Sequence, residues 1–216
     1  TMGLIRDRYK NERQLTPELI KELHRSITRG TLDDPQDEGQ LRQIDDIIVY
    51  ARDDPNQELY TPPKSADVPA LIDDLCKFAS TEPEDFYIHP IIKAILLHFL
   101  IGYVHPFKDG NGRTARAIFY WYLVSRGYYR FEYVPVSRSI KNSPAQYARA
   151  YLYCEQDEGD LTYFIKYHLH ALDAAVSEFE QYIERIRNEN RKVLETIRTH
   201  AEFNARQADV IIMPTR

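Results

Sequence analysis

Two apolar segments, residues 90–103 and 115–124, are separated along the chain by a polar stretch. Each segment is long enough for about three helical turns. The first is apolar on nearly every side, as expected of a helix that is buried all round. The pattern therefore predicts two central buried helices joined by a polar loop.

Amphipathic patterns predict further helices on both sides of this pair. Thr16, followed by proline and glutamate, is a typical helix start, and the apolar spacing after it continues to Gly30. Asp67 is expected to cap a helix over residues 67–79. A long amphipathic helix begins near Asp160, and because its pattern outlasts an average helix we expect a break or a packing partner.

Residues 43–60 change from helical spacing to β-forming residues. A run of isoleucine, valine and tyrosine is followed by the turn signal Asp53-Asp54-Pro55-Asn56 and then by Glu58-Leu59-Tyr60. This order predicts one small β-hairpin. The expected fold class is all-α, with two central buried helices and a single hairpin.

Composition restricts the class of protein. A chain of 216 residues suits one domain, or one domain plus a fragment, and 43% hydrophobic residues indicate a globular core. A formal net charge of −5 without any block of Lys or Arg argues against a nucleic-acid surface. Lys93 and His98 interrupt the longest apolar run, which is too short to span a membrane.

The two cysteines and residues 1–11 indicate the cellular compartment of the protein. Cys76 and Cys154 are too isolated for a disulfide framework or a zinc site and are expected to be buried small hydrophobic residues in a reducing environment. Residues 1–11 are charged and carry no signal-peptide core. We therefore expect a cytoplasmic protein.

The polar stretch between the two apolar segments, residues 105–116, combines a base with an anion site. His105 titrates close enough to neutrality to take a hydroxyl proton. Gly110 and Gly112 allow backbone N–H groups to approach an anion closely at a helix start, where the helix dipole adds positive charge.

Charged side chains in the same stretch extend this interpretation. Arg113 and Arg116 are three residues apart in the first turn of the second helix and can reach the same anion. Asp109 offers hard oxygen ligands that suit Mg²⁺ bridging phosphates. Together these residues indicate a nucleotide phosphate, Mg²⁺ and a general base, which is the chemistry of a transferase.

The pattern His-x-Phe-x-Asp-Gly-Asn-Gly-Arg-x-x-Arg resembles the signature of the Fic (Fido) domain family. Every fixed position is matched, by His105, Phe107, Asp109, Gly110, Asn111, Gly112, Arg113 and Arg116. The resemblance extends over residues 10–200 and implies a helical core that transfers AMP from ATP to a Ser, Thr or Tyr hydroxyl of a target protein. Gly112 favours this AMP-transferring branch, since the Doc-like phosphotransferase branch carries a lysine there.

The resemblance also implies a role for each motif residue. His105 would deprotonate the target hydroxyl, and Asp109 would hold Mg²⁺ on the α and β phosphates. The Asn111 side chain and the backbone N–H groups of residues 110–113 would form the anion hole, while Arg113 and Arg116 would take the β and γ phosphates.

Two segments outside the motif resemble binding elements of the family. A hairpin flap pairs with the target backbone in these proteins, which implies a target-binding strand at Ile47, Ile48, Val49 and Tyr50. The alternative is an edge hairpin that only covers the core. Tyr147 and Tyr151 share a helix face and could stack on the adenine, although an aromatic stripe at helical spacing is also typical of a core. His98, about two turns before His105, is expected to be a core histidine.

The expected organisation is an N-terminal scaffold helix in residues 1–36 and a Fic core in residues 37–200, with the flap at 43–60. Residues 201–216 resemble the start of a truncated winged-helix extension or a tail. No full Ser/Thr-x-x-x-Glu-Gly/Asn inhibitory pattern occurs in the chain. The inhibitory glutamate is therefore expected on an upstream helix or on a separate partner, and a homodimer is left open.

Three other functions are compatible with the same residues. The site could remove AMP from a modified protein, or use a different nucleotide-derived donor. The chain could also be a regulatory protein that binds nucleotide without transferring it.

Overall fold

The structure is a computed structural model that describes residues 5, 14–45, 49–50 and 58–199. This part of the chain forms seven α-helices and one two-stranded sheet, which confirms the all-α prediction. The helices are α1 Pro17–Thr28, α2 Val68–Ser80, α3 Pro90–Val104, α4 Asn111–Ser125, α5 Val136–Asn142, α6 Pro144–Gln156 and α7 Thr162–Thr199; the strands are β1 Val49–Tyr50 and β2 Glu58–Tyr60.

Helices α3 and α4 form the centre of the core and pack against each other more extensively than any other pair. Their apolar side chains are almost completely buried, among them Ile95, Leu97, Phe119 and Trp121. This confirms the two central buried helices. The polar loop between them is consequently fixed at both ends by the most tightly packed part of the protein.

Helix α1 begins where the sequence indicated, because the Thr16 hydroxyl oxygen accepts a hydrogen bond from the Leu19 N–H at 3.2 Å. It packs against α4. Its buried face carries the apolar residues of the pattern together with the polar residues His24 and Thr28. These two residues place α1 directly behind the motif loop.

Two helix starts differ from the sequence-based expectation. The Asp67 side chain makes no capping hydrogen bond, because a short 3₁₀ helix, Ser65–Asp67, runs directly into α2 and leaves Asp67 with helical backbone angles. Helix α4 begins at Asn111, so Arg113 lies in its first turn as expected, whereas Arg116 lies in its second.

The predicted hairpin is present as strands β1 and β2, which pair antiparallel with Val49 opposite Tyr60 and Tyr50 opposite Glu58. The register is irregular between the two residues of β1. Ile47 and Ile48, which complete the predicted target-binding strand, lie outside the described residues.

Helix α7 is continuous over 38 residues, so the break considered from the sequence does not occur in it. Its first half packs against α3, α5 and α6. Within the described residues, no helix has both the length and the apolar character needed to cross a membrane. Residues 201–216, assigned from the sequence to a tail or extension, lie outside the description.

Candidate active site

His105 lies at the end of α3, where the motif begins. Its backbone is left-handed, with φ +48°, and its N–H still donates to the Ile101 carbonyl at 3.0 Å. Nδ1 lies 3.3 Å from the Gly102 carbonyl oxygen. A carbonyl can only accept, so Nδ1 carries the proton and Nε2 is left with a free lone pair. Burial lowers the pKa of His105 below 6.5, which keeps the imidazole neutral and basic near pH 7.

Arg42 holds the backbone of His105 and was not detected from the sequence. Its side chain is almost completely buried, and Nε donates to the His105 carbonyl at 2.8 Å. The remaining guanidinium N–H groups donate to the carbonyls of Ile44, Pro63 and Val104. Because residues 44 and 63 flank the hairpin, one buried cation joins both hairpin ends to the base. A lone arginine in a polar segment carries no pattern that could reveal this.

The Asn111 side chain closes the motif loop. Its Oδ1 accepts the Phe107 N–H at 2.9 Å, and its Nδ2 donates to the Phe107 carbonyl at 2.7 Å. Both residues are buried. The side-chain amide is thus engaged within the loop, and Asn111 also lines the cavity described below. The backbone N–H of Asn111 remains at the helix start.

Gly110 occupies the N-cap position of α4 with φ +82°, a conformation that glycine adopts without strain. A Cβ at this position would lie 2.6 Å from Cγ2 of Thr28 and 3.0 Å from Nε2 of His24. No side chain caps the helix, so the first-turn N–H groups are available to an anion. Glycine is therefore required both by the turn and by the close packing of α1.

Asp109 and Arg113 pair with each other in this structure. Arg113 Nη2 lies 2.9 Å from Asp109 Oδ2, and a second N–H of Arg113 donates to the Thr31 hydroxyl. The other carboxylate oxygen accepts the Gly110 N–H at 2.5 Å. The carboxylate is 70% exposed and accessible to a ligand. Among the described residues no cluster of three or more His, Cys, Asp or Glu could hold a metal ion.

Arg116 differs from Arg113, since its guanidinium has no hydrogen bond or ion pair with any residue that the structure describes. It borders a cavity of about 580 Å³. The same cavity is lined by Tyr60, Gly102, His105, Asn111, Gly112, Ser137, Ile140, Lys141, Pro144, Tyr147, Ala148 and Tyr151. Arg116, His105 and the start of α4 therefore share one cavity.

Tyr147 and Tyr151 belong to both the core and the cavity, so neither sequence-based alternative excludes the other. The Tyr147 hydroxyl lies 3.0 Å from Nε2 of His98, and the Tyr151 ring stacks on Phe99 at 5.0 Å between centroids. A Cβ on Gly102 would collide with the Tyr151 hydroxyl. His98 is fully buried with one nitrogen satisfied, as predicted.

Strand β2 contributes a wall of the cavity through Tyr60. The Tyr60 and Tyr103 rings lie 5.0 Å apart, and burial together with the Tyr103 hydrogen bond raises the pKa of Tyr60. The hydroxyl therefore stays protonated at neutral pH. The hairpin thus adjoins the motif in space, although about forty residues separate them in sequence.

His24 is a second residue that sequence reasoning missed, because it looks like one polar position on an amphipathic helix. It is fully buried, and its ring stacks on Phe107 with 3.7 Å between centroids and 10° between planes. Nε2 lies 2.9 Å from the Asp109 carbonyl oxygen, and Nδ1 accepts the Gly39 N–H at 2.9 Å. Helix α1 therefore touches the motif directly.

The helical core brings an arginine, a histidine that burial keeps neutral and the start of α4 to one cavity, an arrangement typical of sites for phosphate-bearing ligands. A family model described as Fic/DOC family matches residues 14–123, about half of the chain. The chain belongs to this family.

Curated relatives agree at modest identity. The chain is 30% identical over 115 residues to "Protein adenylyltransferase Fic" of Drosophila grimshawi, covering 53% of this chain and 21% of the relative. It is 25% identical over 170 residues to "Protein adenylyltransferase fic-1" of Caenorhabditis elegans, covering 79% and 30%. The chain thus spans less than a third of the length of these relatives, whose names support a Fic-family transferase at the level of the family.

Solved structures share the fold. A Fic family protein from Desulfovibrio desulfuricans G20 superposes with a TM-score of 0.62 at 21% identity, covering 99% of this chain and 61% of that one. Fic-1 of C. elegans, residues 134–508, gives a TM-score of 0.60 at 22% identity, covering 87% and 51%.

Proposed function

We propose that the protein transfers AMP from ATP to a Ser, Thr or Tyr hydroxyl of a target protein. The observation that carries this proposal is the shared cavity, which brings together the lone pair of His105 Nε2, the start of α4 and the guanidinium of Arg116, which pairs with none of the described residues. The family and the names of its curated relatives support the same reaction.

The reaction needs one base. His105 Nε2 takes the proton of the target hydroxyl while its oxygen bonds to the α-phosphorus of ATP. The bond from the α-phosphorus to the bridging oxygen breaks at the same centre, and pyrophosphate leaves with that electron pair. Catalysis of this kind depends mainly on positioning and on neutralising charge.

The phosphates would bind at the start of α4. The backbone N–H groups of residues 111–113 would donate to them, and Arg113 and Arg116 would balance their negative charge. Asp109 is the residue that would hold Mg²⁺, which supplies positive charge between carboxylate and phosphates. Binding would replace the Asp109–Arg113 ion pair by two new contacts, the carboxylate with the metal and the guanidinium with a phosphate. Before binding, the ion pair compensates both charges.

The nucleoside would occupy the remainder of the cavity. Its volume of about 580 Å³ lies within the range of about 300–1,000 Å³ that is usual for small-molecule sites. The rings of Tyr147 and Tyr151 form an aromatic wall against which a purine could stack.

The target would bind along the hairpin. Strand β1 is short and β2 already borders the cavity, so an extended target segment paired to this hairpin would bring its hydroxyl close to His105. Such pairing uses main-chain hydrogen bonds and demands little of the target sequence.

An inhibitory partner or upstream helix would act by placing a glutamate on Arg116.

Incubation of the full chain with α-³²P-ATP, Mg²⁺ and a cell lysate tests the proposal. Wild-type protein should label a target, His105→Ala should not, and the exposed-histidine control His170→Ala should label it as wild type does. Loss of label from a pre-modified target would instead indicate AMP removal. ATP binding without either activity would indicate a regulatory protein and overturn the proposal.

A further inference from the structure

We propose that His24 is a positioning residue of this site, which holds the motif loop where Asp109 and the start of α4 can bind a nucleotide. The inference rests on the proposed function for the identity of the ligand. It assigns to α1 a role beyond that of a scaffold helix.

The contacts of His24 fix a single tautomer. The Gly39 N–H can only donate, so Nδ1 of His24 must present its lone pair there, at 2.9 Å. The proton therefore sits on Nε2, and Nε2–H donates to the Asp109 carbonyl at 2.9 Å. A neutral imidazole thus connects the segment around Gly39 with the motif loop through two hydrogen bonds of opposite direction.

The same ring contacts the loop at three residues. It stacks on Phe107, its Nε2–H donates to the carbonyl of Asp109, and it lies so close to Gly110 that a Cβ there would be 3.0 Å from Nε2. His24 itself is 0% exposed. His24 therefore packs against the loop on the side that faces α1.

The position of the loop has a direct consequence for binding. Fixing the Asp109 carbonyl fixes the backbone from which its carboxylate extends, and it also fixes the left-handed Gly110 that starts α4. Loss of a residue that orients a metal-binding group typically lowers metal affinity by about 10–100-fold. Loss of His24 should therefore weaken binding of Mg²⁺-loaded ATP, whereas binding of metal-free ATP should be affected less.

Two substitutions separate positioning from simple packing. In His24→Gln the side-chain NH₂ reaches the place of Nε2 and can still donate to Asp109, whereas the bond from Gly39 is lost. In His24→Asn the side-chain oxygen takes the place of Nδ1 and can still accept from Gly39, whereas the bond to Asp109 is lost. Each variant keeps one of the two hydrogen bonds, and both lose the stacked ring.

Calorimetry of the full chain with Mg²⁺ and ATP, repeated with ATP and EDTA, gives the first readout. We expect His24→Asn to weaken binding of Mg²⁺-loaded ATP by about tenfold or more, with a smaller change in EDTA. His24→Gln should retain affinity within about threefold of wild type. Thermal unfolding should show similar losses of stability in both variants. A purely structural role of His24 would produce the same result, so the affinities and not the melting temperatures decide.

Hydrogen exchange of residues 105–113 without nucleotide gives the second readout and does not depend on the proposed reaction. Faster exchange in His24→Asn than in His24→Gln supports the positioning role even if no AMP is ever transferred. Equal exchange in the two variants, or equal affinity for Mg²⁺-loaded ATP, overturns the inference. A wild-type chain that binds Mg²⁺-loaded ATP but labels no protein would overturn only the proposed transfer.

Discussion

His105 and Glu158 are the non-glycine residues with positive φ in the described chain. A side chain in this conformation costs free energy that the surrounding structure must offset. At His105 the offset comes from the helix-ending hydrogen bond to Ile101 and from the buried bond of Arg42 to its carbonyl. The strained conformation turns the chain out of α3 and leaves the imidazole at the rim of the loop.

Replacing this imidazole tests its role as a base. His105→Ala should lower AMP transfer by about 10²–10⁴-fold, the usual contribution of a positioned base, with little change in ATP affinity. His105→Gly should be equally inactive but more stable than His105→Ala, because glycine adopts the left-handed backbone without strain. Transfer assays and thermal unfolding measure the two effects. Wild-type transfer by either variant would exclude the role.

The pKa of His105 also predicts the pH dependence of transfer. Burial lowers this pKa, and the positive charge of Arg42 acts in the same direction. The base therefore stays unprotonated to lower pH than a free imidazole, so the acidic limb of the pH profile of kcat/KM should have its midpoint below pH 6.5. A limb centred above that value would contradict the burial of the active base.

The contacts of the Asn111 side chain predict that its replacement lowers stability rather than impairing the binding chemistry. Asn111→Ala removes the partners of both the N–H and the C=O of buried Phe107, which should lower the free energy of unfolding by about 2–4 kcal/mol. Asn111→Asp keeps an acceptor for the N–H but turns a carboxylate oxygen toward the buried Phe107 carbonyl, so at neutral pH it should cost at least as much. Urea unfolding of the two variants checks the order, and an unaffected Asn111→Ala would show that the loop closes without this amide.

Arg42 connects the hairpin with α3. This connection explains why two strands of only two and three residues keep a defined place beside the site. An isolated hairpin of this size is marginal in water. Here the carbonyls at both of its ends accept from one buried guanidinium, whose charge also lies 3.7 Å from the carboxylate of Asp45. The hairpin is therefore held from its base, while its strands remain available for pairing.

Removing this connection should loosen the hairpin and the motif together. Arg42→Met keeps the apolar stem but leaves several buried carbonyls unpaired, and should cost about 2–4 kcal/mol with faster hydrogen exchange at Tyr60 and His105. Arg138→Met is the matched control, because Arg138 is 64% exposed and its ion pair with Glu178 should contribute only about 0–1 kcal/mol. Equal effects of the two substitutions would contradict a special role for Arg42.

The interior of the molecule contains several histidines that burial keeps neutral. Burial lowers the pKa of His24, His98, His105 and His168, the last to about 4, and the neighbouring His168 and Arg116 lower that of His98 further. His98 and His168 lie 4.7 Å apart between ring centroids, and each has one buried nitrogen without a hydrogen-bond partner among the described residues. Protonation of either ring would place a charge in the core behind the cavity.

Acid should therefore destabilise the fold. The unfolded chain takes up protons near pH 6.5, whereas the folded chain does so only at lower pH, so the unfolded state binds more protons between these values. The free energy of unfolding should be fully retained above about pH 6.5 and fall below it, by up to about 1.4 kcal/mol per pH unit for each buried histidine. Urea unfolding between pH 7 and 5 measures this slope.

A variant identifies one contributor to the slope. His168→Asn retains a donor for the Phe164 carbonyl but no longer titrates, so its loss of stability between pH 7 and 5 should be smaller than that of wild type. The exposed control His170→Asn should leave the slope unchanged. An unchanged slope in His168→Asn would assign the acid sensitivity to other groups.

Much of the architecture could be predicted from local patterns. The apolar runs located α3 and α4, the Thr16 cap located α1, and the change of period after residue 43 located the hairpin. These features depend on a few neighbouring residues, so they can be recognised along the chain. The motif from His105 to Arg116 likewise placed its base and its anion-binding residues within one continuous segment.

The contacts between segments could be decided only by folding. His24 and Arg42 act on the motif from 85 and 63 residues away, and nothing in their local sequence distinguishes them from surface residues. The same holds for Tyr147, which bonds to His98 from 49 residues away and serves core and cavity at once. Local patterns encode which face of an element is apolar, whereas the partner of a buried polar group depends on which distant backbone group the packing brings within hydrogen-bond distance.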